Sequence, residues 1–544
     1  MGKNNNSKFH IRLPLILAIG LVAGILIGAK IGGNEPNKPN LQSSIHKFAN
    51  IMNYINKAYV DTVDTEDLVE VAITKMLEKL DPHSVYISPK EVELNKPQLT
   101  GEFSGIGIEF NVLQDTIYVV SPLSGGPSEK LGIRPADRIV DVDGENVAGI
   151  GITTRRVVEL LRGKKGSTVK VGIKRKGVDE TLYFNIVRDK IPQHSVDATY
   201  MIDDEIGYVK ISRFSATTYD EFKESLTTLQ GEGMKKMVLD LRGNPGGYMD
   251  KAVKIADEFL SDGKLIVYTK GKERRYNNSF HSRNKGSFEH GSLIVLIDEG
   301  SASASEIVSG AMQDNDRALV VGRRSFGKGL VQMPIPLNDG SELRLTISRY
   351  YTPSGRSIQK PYGEEVDDYY GDRASRFEHG EFFHVDSIKL NDSLKYSTVH
   401  GRTVYGGGGI MPDYFVPLDT TGNSSYYLKL LYSGSVVEFI NGYYNKNEKK
   451  LKKMEYETFL NNFEITDKMM GQLVKVGEDH DVPMDEKGLE KSDDLVKLAL
   501  KAQIARRLWG SSAYYQIIND ENEILQQALK LFPEADELAK NYEE

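Results

Sequence analysis

The stretch KMVLDLRGNPGG (236–247) decides the fold. It begins as an apolar run of strand length and closes in a glycine-bearing loop, with a helical pattern following near Asp250–Leu260. A similar order recurs twice downstream. LIVLID (293–298) leads through GSASASE (300–306) into a helix near Ala304–Gln313, and ALVV (318–321) leads into SFGKGLVQ (325–332). Strands separated by helices imply βαβ units and parallel pairing. Parallel strands end on one side of their sheet, where ligand sites collect. A glycine loop, a serine at a helix start and a lysine are therefore expected at one edge.

On both sides of this core the texture changes. Residues 100–190 read as short strands, IYVVSPL (117–123), DRIVDVDG (137–144), TVKVGIKRKG (168–177) and TLYFNIV (181–187), with one helix near Thr153–Arg162. Residues 44–80 have helical periodicity. Phe48, Ile51, Met52 and Ile55 share one face, Leu68, Val71, Ala72 and Met76 another, and the Asp81-Pro82 turn ends the second helix. After about Gly422 the chain is charged and helix-rich, and Trp509 sits among apolar residues as a core side chain would.

At the other end, Lys3, Lys8 and Arg12 precede the uncharged run Leu13–Ala29. Its 17 residues lie at the short end of what spans a bilayer. A cleaved signal peptide competes with an uncleaved anchor. The run exceeds the usual apolar stretch of a signal peptide and no clear small-x-small site follows, which favours the anchor, with the basic flank cytoplasmic. The polar, proline-bearing stretch after it reads as a tether. The expected fold is thus a multidomain α/β chain: cytoplasmic tip and transmembrane helix (1–33), tether and helical N-terminal segment (34–99), an α+β domain (100–190), a βαβ-type core (191–421) and a helix-rich C-terminal region (422–544).

Composition narrows the chemistry. The 544 residues carry 69 Lys and Arg against 77 Asp and Glu, a net charge of −8. A mildly acidic chain argues against nucleic acid as partner. There is no cysteine, which excludes disulfides, thiolate metal sites and a cysteine nucleophile. No histidine pair has the H-E-x-x-H zinc spacing, and no metal site is expected.

Residues 100–190 resemble a PDZ domain through Ser104-Gly105-Ile106-Gly107-Ile108, LGIRPADRIVDVDGENV (131–147) and the helix bearing Val157, Leu160 and Leu161. Gly105 and Gly107 let a loop turn its N–H groups toward a chain-terminal carboxylate, and the strand after it offers an edge for an added peptide strand. Ile106, Ile108, Val157 and Leu161 would form the pocket for an apolar last side chain.

In the core, Ser303 and Glu306 fit the S-x-x-E capping box, so the serine reads as a helix cap unless a base lies near it. Lys328 is the base candidate that topology offers, with glycines on both sides and Phe326 able to exclude water. A lysine acts as base only when neutral, and desolvation is what lowers its pKa. A Ser–His–Asp triad and a non-catalytic anchored PDZ scaffold or chaperone are the competing readings.

VLDLRGNPGG, GSASASEIVSGAMQD and RALVVGRRSFGKGLVQ together resemble the C-terminal processing (tail-specific) peptidases, serine peptidases with a PDZ domain. The resemblance runs from about Phe48 through Asp413 and includes Leu80–Ser84 and Gly408–Asp413. It implies Ser303 as nucleophile, Lys328 as general base and Gln332 as the amide that orients the lysine. It also implies the backbone N–H groups of Ala304 and Gly247 as oxyanion donors, with Gly246 as the alternative register; Pro245 has no N–H to give. The serine-peptidase mechanism that the resemblance implies requires no organic cofactor. A further implication is cleavage of proteins with free C-terminal tails; with the N-terminal run as an anchor, the expected place is a bacterial inner membrane, with everything after Gly33 outside the cytoplasm. Members are often oligomeric. In a straight strand Lys328 and Gln332 would stand about 13 Å apart, so a non-extended backbone is expected between them.

Overall fold

The computed structural model describes residues 21, 22, 24, 40–93, 101–123, 125–175, 177–283, 285–363 and 366–543. The chain divides into two units, residues 1–76 and 77–544. In the first, the helix Leu41–Ala58 is capped by the Asn40 side chain and buries none of its residues. The expected transmembrane run, apart from Leu21, Val22 and Gly24, lies outside the described residues. Among the described residues no helix is long and apolar enough to cross a membrane.

The second unit is built around a six-stranded sheet. Its strands are β1 (Val196–Met201), β2 (Ile206–Ile211), β3 (Lys236–Asp240), β4 (Ser292–Ile297), β5 (Leu319–Gly322) and β6 (Tyr414–Phe415), in that spatial order. β1 pairs antiparallel with β2, and every other pairing is parallel. The side chains alternate between faces. Val209, Leu239, Val295 and Val320 face the helices α1 (Thr218–Gly231), α2 (Met249–Asp257) and α3 (Ala304–Asp314). Tyr208, Val238, Ile294, Leu296 and Val321 face the other way, where Ile524, Leu525, Ala528 and Phe532 of the last helices cover them. A parallel sheet must be covered on both faces, and here the end of the chain supplies the second cover. Residues 511–543 therefore pack on the core.

A second, antiparallel sheet joins Val85–Ile87, Glu342–Tyr351, Leu265–Gly271 and Ser279–His281, with Leu330–Pro336 paired to Glu342–Tyr351. Val85–Ile87 follows the Asp81-Pro82 turn, the expected end of the second helix, and is a strand of the core: Val85 and Ile87 stand opposite Arg344 and Glu342.

The α+β domain is a five-strand antiparallel path with Ile108–Leu113 at its edge, closed by pairing of Glu102–Gly105 with Asp189–Pro192. Its helix, Thr154–Leu161, is capped by Thr153. Helices from Ser425 to Trp509 form a separate apolar core, in which Trp509 packs against Tyr456 and Phe459.

Candidate active site

β3, β4 and β5 are neighbours, and the three loops of interest leave their C-terminal ends. The glycine loop is held from below by charge. Asp240 is fully buried and accepts bonds from the Tyr208 hydroxyl, the Lys210 ammonium and the backbone and guanidinium of Arg242. Burial pushes the Asp240 carboxyl up, but Arg242 and Lys210 win and hold it well below its ordinary range.

Asn244 ties this loop to the serine loop. Its carbonyl accepts from Ala302 N–H (2.9 Å) and the Ser305 hydroxyl (3.0 Å), and its side chain accepts from Gly246 N–H (2.8 Å). Gly246, at φ +97°, packs so closely that a Cβ there would lie 2.7 Å from the Ala302 carbonyl oxygen and 2.8 Å from Ser303 Cβ. The Gly246 N–H is therefore engaged within the loop. The Gly247 N–H and the Ala304 N–H at the start of α3 have no protein acceptor among the described residues.

Three serines compete in 301–305. Ser301 is buried and donates to the Leu241 carbonyl, and Ser305 is buried and donates to the Asn244 carbonyl. Ser303 is the partly exposed one, with a backbone φ of +56° and ψ of −110°. Such a conformation costs on the order of 1–3 kcal/mol and persists only where surroundings enforce it.

Glu306 is one enforcer. It is fully buried, and its carboxylate accepts from Ser303 N–H (2.7 Å), Lys328 N–H (2.9 Å), Gly327 N–H (2.7 Å) and the Ser325 hydroxyl. Burial pushes its carboxyl up to about 7 against those four bonds. Tyr350 is the other. Its buried hydroxyl faces the carbonyl oxygens of both Ser303, at 3.1 Å, and Lys328. The main chains of Ser303 and Lys328 are thus clasped from two sides. The S-x-x-E signal marked Glu306 only as a cap; its reach into the lysine loop, like the roles of Asn244 and Tyr350, is tertiary.

The Lys328 amine is partly buried and has no hydrogen-bond or ion-pair partner among the described residues. Burial pushes it below its ordinary value, Glu306 and Asp81 pull it up, and Arg344 pushes it down. His83 is held neutral beside it, pushed down to about 3 by burial and by the Lys328 charge, and its Nε2 meets the Tyr369 hydroxyl at 2.9 Å. Phe326 packs edge-on against Tyr369 and beneath the Lys360 ammonium.

Lys328 and Gly329 precede the strand Leu330–Pro336 rather than belonging to it. The ladder slips next to Gln332: Val331 stands opposite Ser348, and Gln332 opposite Thr346. The expected break in extended chain is confined to these points, since Gln332 itself is in the strand. No hydrogen bond joins Gln332 to Lys328; its Nε2 donates to the Thr346 hydroxyl at 3.2 Å.

In the α+β domain, Ile106, Ile108, Val157 and Leu161 are buried against one another. Ser104 and Gly105 end the closing strand, and Gly107 has φ +71°. The N–H groups of Ile106 and Gly107 have no protein acceptor among the described residues. The outer edge of Ile108–Leu113 carries no further strand among them.

Comparison with known proteins agrees with this architecture. Residues 205–367 match peptidase family S41, 104–186 a PDZ domain, and 28–91 the N-terminal domain of the activating protease CtpB. Residues 426–510 match a family of unknown function. The chain is 38% identical over 350 residues to the carboxy-terminal-processing protease of Bartonella bacilliformis, covering 63% of this chain and 80% of that one. It is 36% identical to the carboxy-terminal processing protease CtpB of Bacillus subtilis, covering 58% of this chain and 66% of that one. The solved photosystem II D1 C-terminal processing protease is 29% identical over 57% of this chain and 89% of its own, at a TM-score of 0.33. The chain belongs to the carboxy-terminal processing proteases of peptidase family S41, serine endopeptidases that carry a PDZ domain.

Proposed function

We propose that this protease cuts peptide bonds with a Ser303–Lys328 dyad, working outside the cytoplasm while its N-terminal apolar run anchors it to the bacterial inner membrane. One observation carries the dyad: the N–H groups of Ser303 and Lys328 meet on a single oxygen of Glu306. Desolvation favours the neutral amine that a base requires. His83, held neutral to about pH 3, is a poor proton acceptor at neutral pH.

The substrate's terminal carboxylate would dock on the Ile106 and Gly107 N–H groups, with its tail added along Ile108–Leu113. Ser104, Gly105, Ile108, Val157 and Leu161 would complete that groove. Neutral Lys328 takes the Ser303 hydroxyl proton as the oxygen attacks the scissile carbonyl. The oxyanion forms against Ala304 N–H and Gly247 N–H; the engagement of Gly246 N–H by Asn244 favours this register. Each such donor is worth about 3–4 kcal/mol when removed. Lys328 then returns the proton to the leaving amine, giving an acyl-enzyme that water cleaves, with Gln332 orienting the amine throughout.

The test is cleavage of a tail-bearing protein by wild type, Ser303→Ala and Lys328→Ala. Loss of cleavage in both variants with the fold intact is expected. Full cleavage by either would overturn the dyad.

A further inference from the structure

Asp81 lies far from Lys328 in sequence, in a turn that belongs to no part of the proposed reaction. It is 7% exposed, and its hydrogen-bond partners among the described residues all donate to its carboxylate. Oδ1 accepts from His83 N–H (2.8 Å), Ser84 N–H (2.9 Å) and the Thr346 hydroxyl (3.0 Å), and Oδ2 accepts from the Ser84 hydroxyl (2.6 Å). The Ser84 oxygen in turn accepts from Thr346 N–H at 3.1 Å. The strand that follows, Val85–Ile87, pairs with Arg344–Glu342, so the turn is locked to the strand that carries Thr346.

This arrangement has a direction. An ionised carboxylate only accepts, so the single Thr346 hydroxyl hydrogen must point at Asp81. The Thr346 oxygen is then left to accept, and Gln332 meets it with its NH2 end, at 3.2 Å. The Gln332 carbonyl end is thereby turned to the opposite side, free to accept from an N–H donor. Lys328 stands four residues before Gln332, and its amine has no hydrogen-bond or ion-pair partner among the described residues.

We propose that Asp81 is a positioning residue of this site: acting through the Thr346 hydroxyl, it fixes which end of the Gln332 amide is presented to the Lys328 amine. The inference rests on the reading of Lys328 as base and Gln332 as its orienting amide. Asp81 also faces Lys328 as a charge, together with Glu306, Arg344 and His83. Its negative charge favours the protonated amine, so its loss moves the Lys328 titration to lower pH.

Three variants test this. Thr346→Val keeps the shape and removes the relay. It should lower kcat at least tenfold with KM for a tail peptide unchanged, and Thr346→Ser should restore kcat to within about threefold of wild type. Asp81→Asn removes the one-way acceptor and the charge, so kcat should fall and the rising limb of the rate profile should move to lower pH. The Lys328 titration is also followed by NMR in Ser303→Ala protein with and without Thr346→Val, which changes no charge, the signal being assigned by its loss in Lys328→Met. Loss of the presented Gln332 oxygen should move that titration to lower pH, and this readout decides the inference even if no peptide is cut, an outcome that would sink the proposed function alone. Folded Thr346→Val with wild-type kcat, or a Lys328 titration unmoved by Thr346→Val, overturns the positioning role.

Discussion

The backbone N–H groups of Ser303 and Lys328 donate to the same oxygen, Glu306 Oε2, at 2.7 and 2.9 Å. Two residues from different loops are thereby held at a spacing that one atom sets. On the opposite side the Tyr350 hydroxyl faces both carbonyls. The strained backbone of Ser303 is stable within this clasp because relaxing it would break bonds to a buried carboxylate, which costs more than the strain.

Glu306→Gln should therefore damage both stability and rate. An amide offers one accepting oxygen and turns an NH2 toward groups that already donate. A loss of about 2–3 kcal/mol in denaturant unfolding is expected, with kcat reduced at least a hundredfold. Tyr350→Phe leaves the packing and removes only the hydroxyl, so it should lose about 1 kcal/mol and a smaller part of kcat. Urea melts and peptide cleavage on the same preparations measure both.

Activity should rise with pH. In the proposed dyad the proton acceptor is neutral Lys328, whose titration burial moves below the ordinary lysine value. Glu306, pushed up to about 7, also loses accepting capacity as it protonates, so rate should fall as pH drops from 8 to 6. A histidine base would give a similar fall near its own pKa, and His83→Gln separates the two. His83 is already neutral through this range, so the variant should keep the fall where it is. A fall that disappears in His83→Gln would show that histidine carries it.

His83 should instead be visible in acid stability. Unfolded, it takes a proton near 6.5; folded, it resists until about 3. Its folded pKa is depressed, so its cost to stability is absent above about 6.5 and grows as pH falls toward 3. Relative to wild type, His83→Gln should gain on the order of 2–3 kcal/mol between pH 7 and pH 4, read from chemical denaturation at the two pH values.

Gly246→Ala should leave a folded but inactive protein. Its φ of +97° is left-handed, and the new methyl would press on the Ala302 carbonyl and on Ser303 itself. The glycine loop would have to retreat from the serine, taking Gly247 N–H with it. Cleavage should fall at least a hundredfold while far-UV circular dichroism is unchanged; wild-type cleavage would show that the loop tolerates the shift.

The parts legible in sequence were those governed by local pattern. The apolar runs of β3, β4 and β5, each followed by its loop, announced parallel pairing and so brought Ser303 near Lys328. The S-x-x-E spacing marked the start of α3. Asp81 could be quoted as part of a motif, but its bonds to Thr346 depend on a strand pairing, Val85–Ile87 with Arg344–Glu342, that no local period encodes. Tyr350 gave no signal, since an aromatic in a strand reads as core. The last helices were silent for a related reason: an amphipathic pattern shows that a face must be buried, but not against what.

That silence makes the final helices the strongest test of the packing. Phe532 is 3% exposed and lies with Ile524, Leu525 and Ala528 against the second face of the sheet. The cover is also fastened by polar contacts, with Asp536 accepting from Lys236 and Ser292, and Asn522 from the Arg242 guanidinium below the glycine loop. Phe532→Ala should cost about 3–5 kcal/mol. Ending the chain after Gly510 strips one face of a parallel sheet, which cannot stand in water, so that protein should be recovered as aggregate. If it were instead soluble, with an unchanged cooperative melt and full cleavage, the sheet would have some other cover and the docking of residues 511–543 would be wrong. Asn522→Ala separates fastening from cover: it keeps the apolar face and removes one acceptor of the Arg242 guanidinium, which stays bound to Asp240, so cleavage should fall severalfold while the melting temperature moves by only a few degrees.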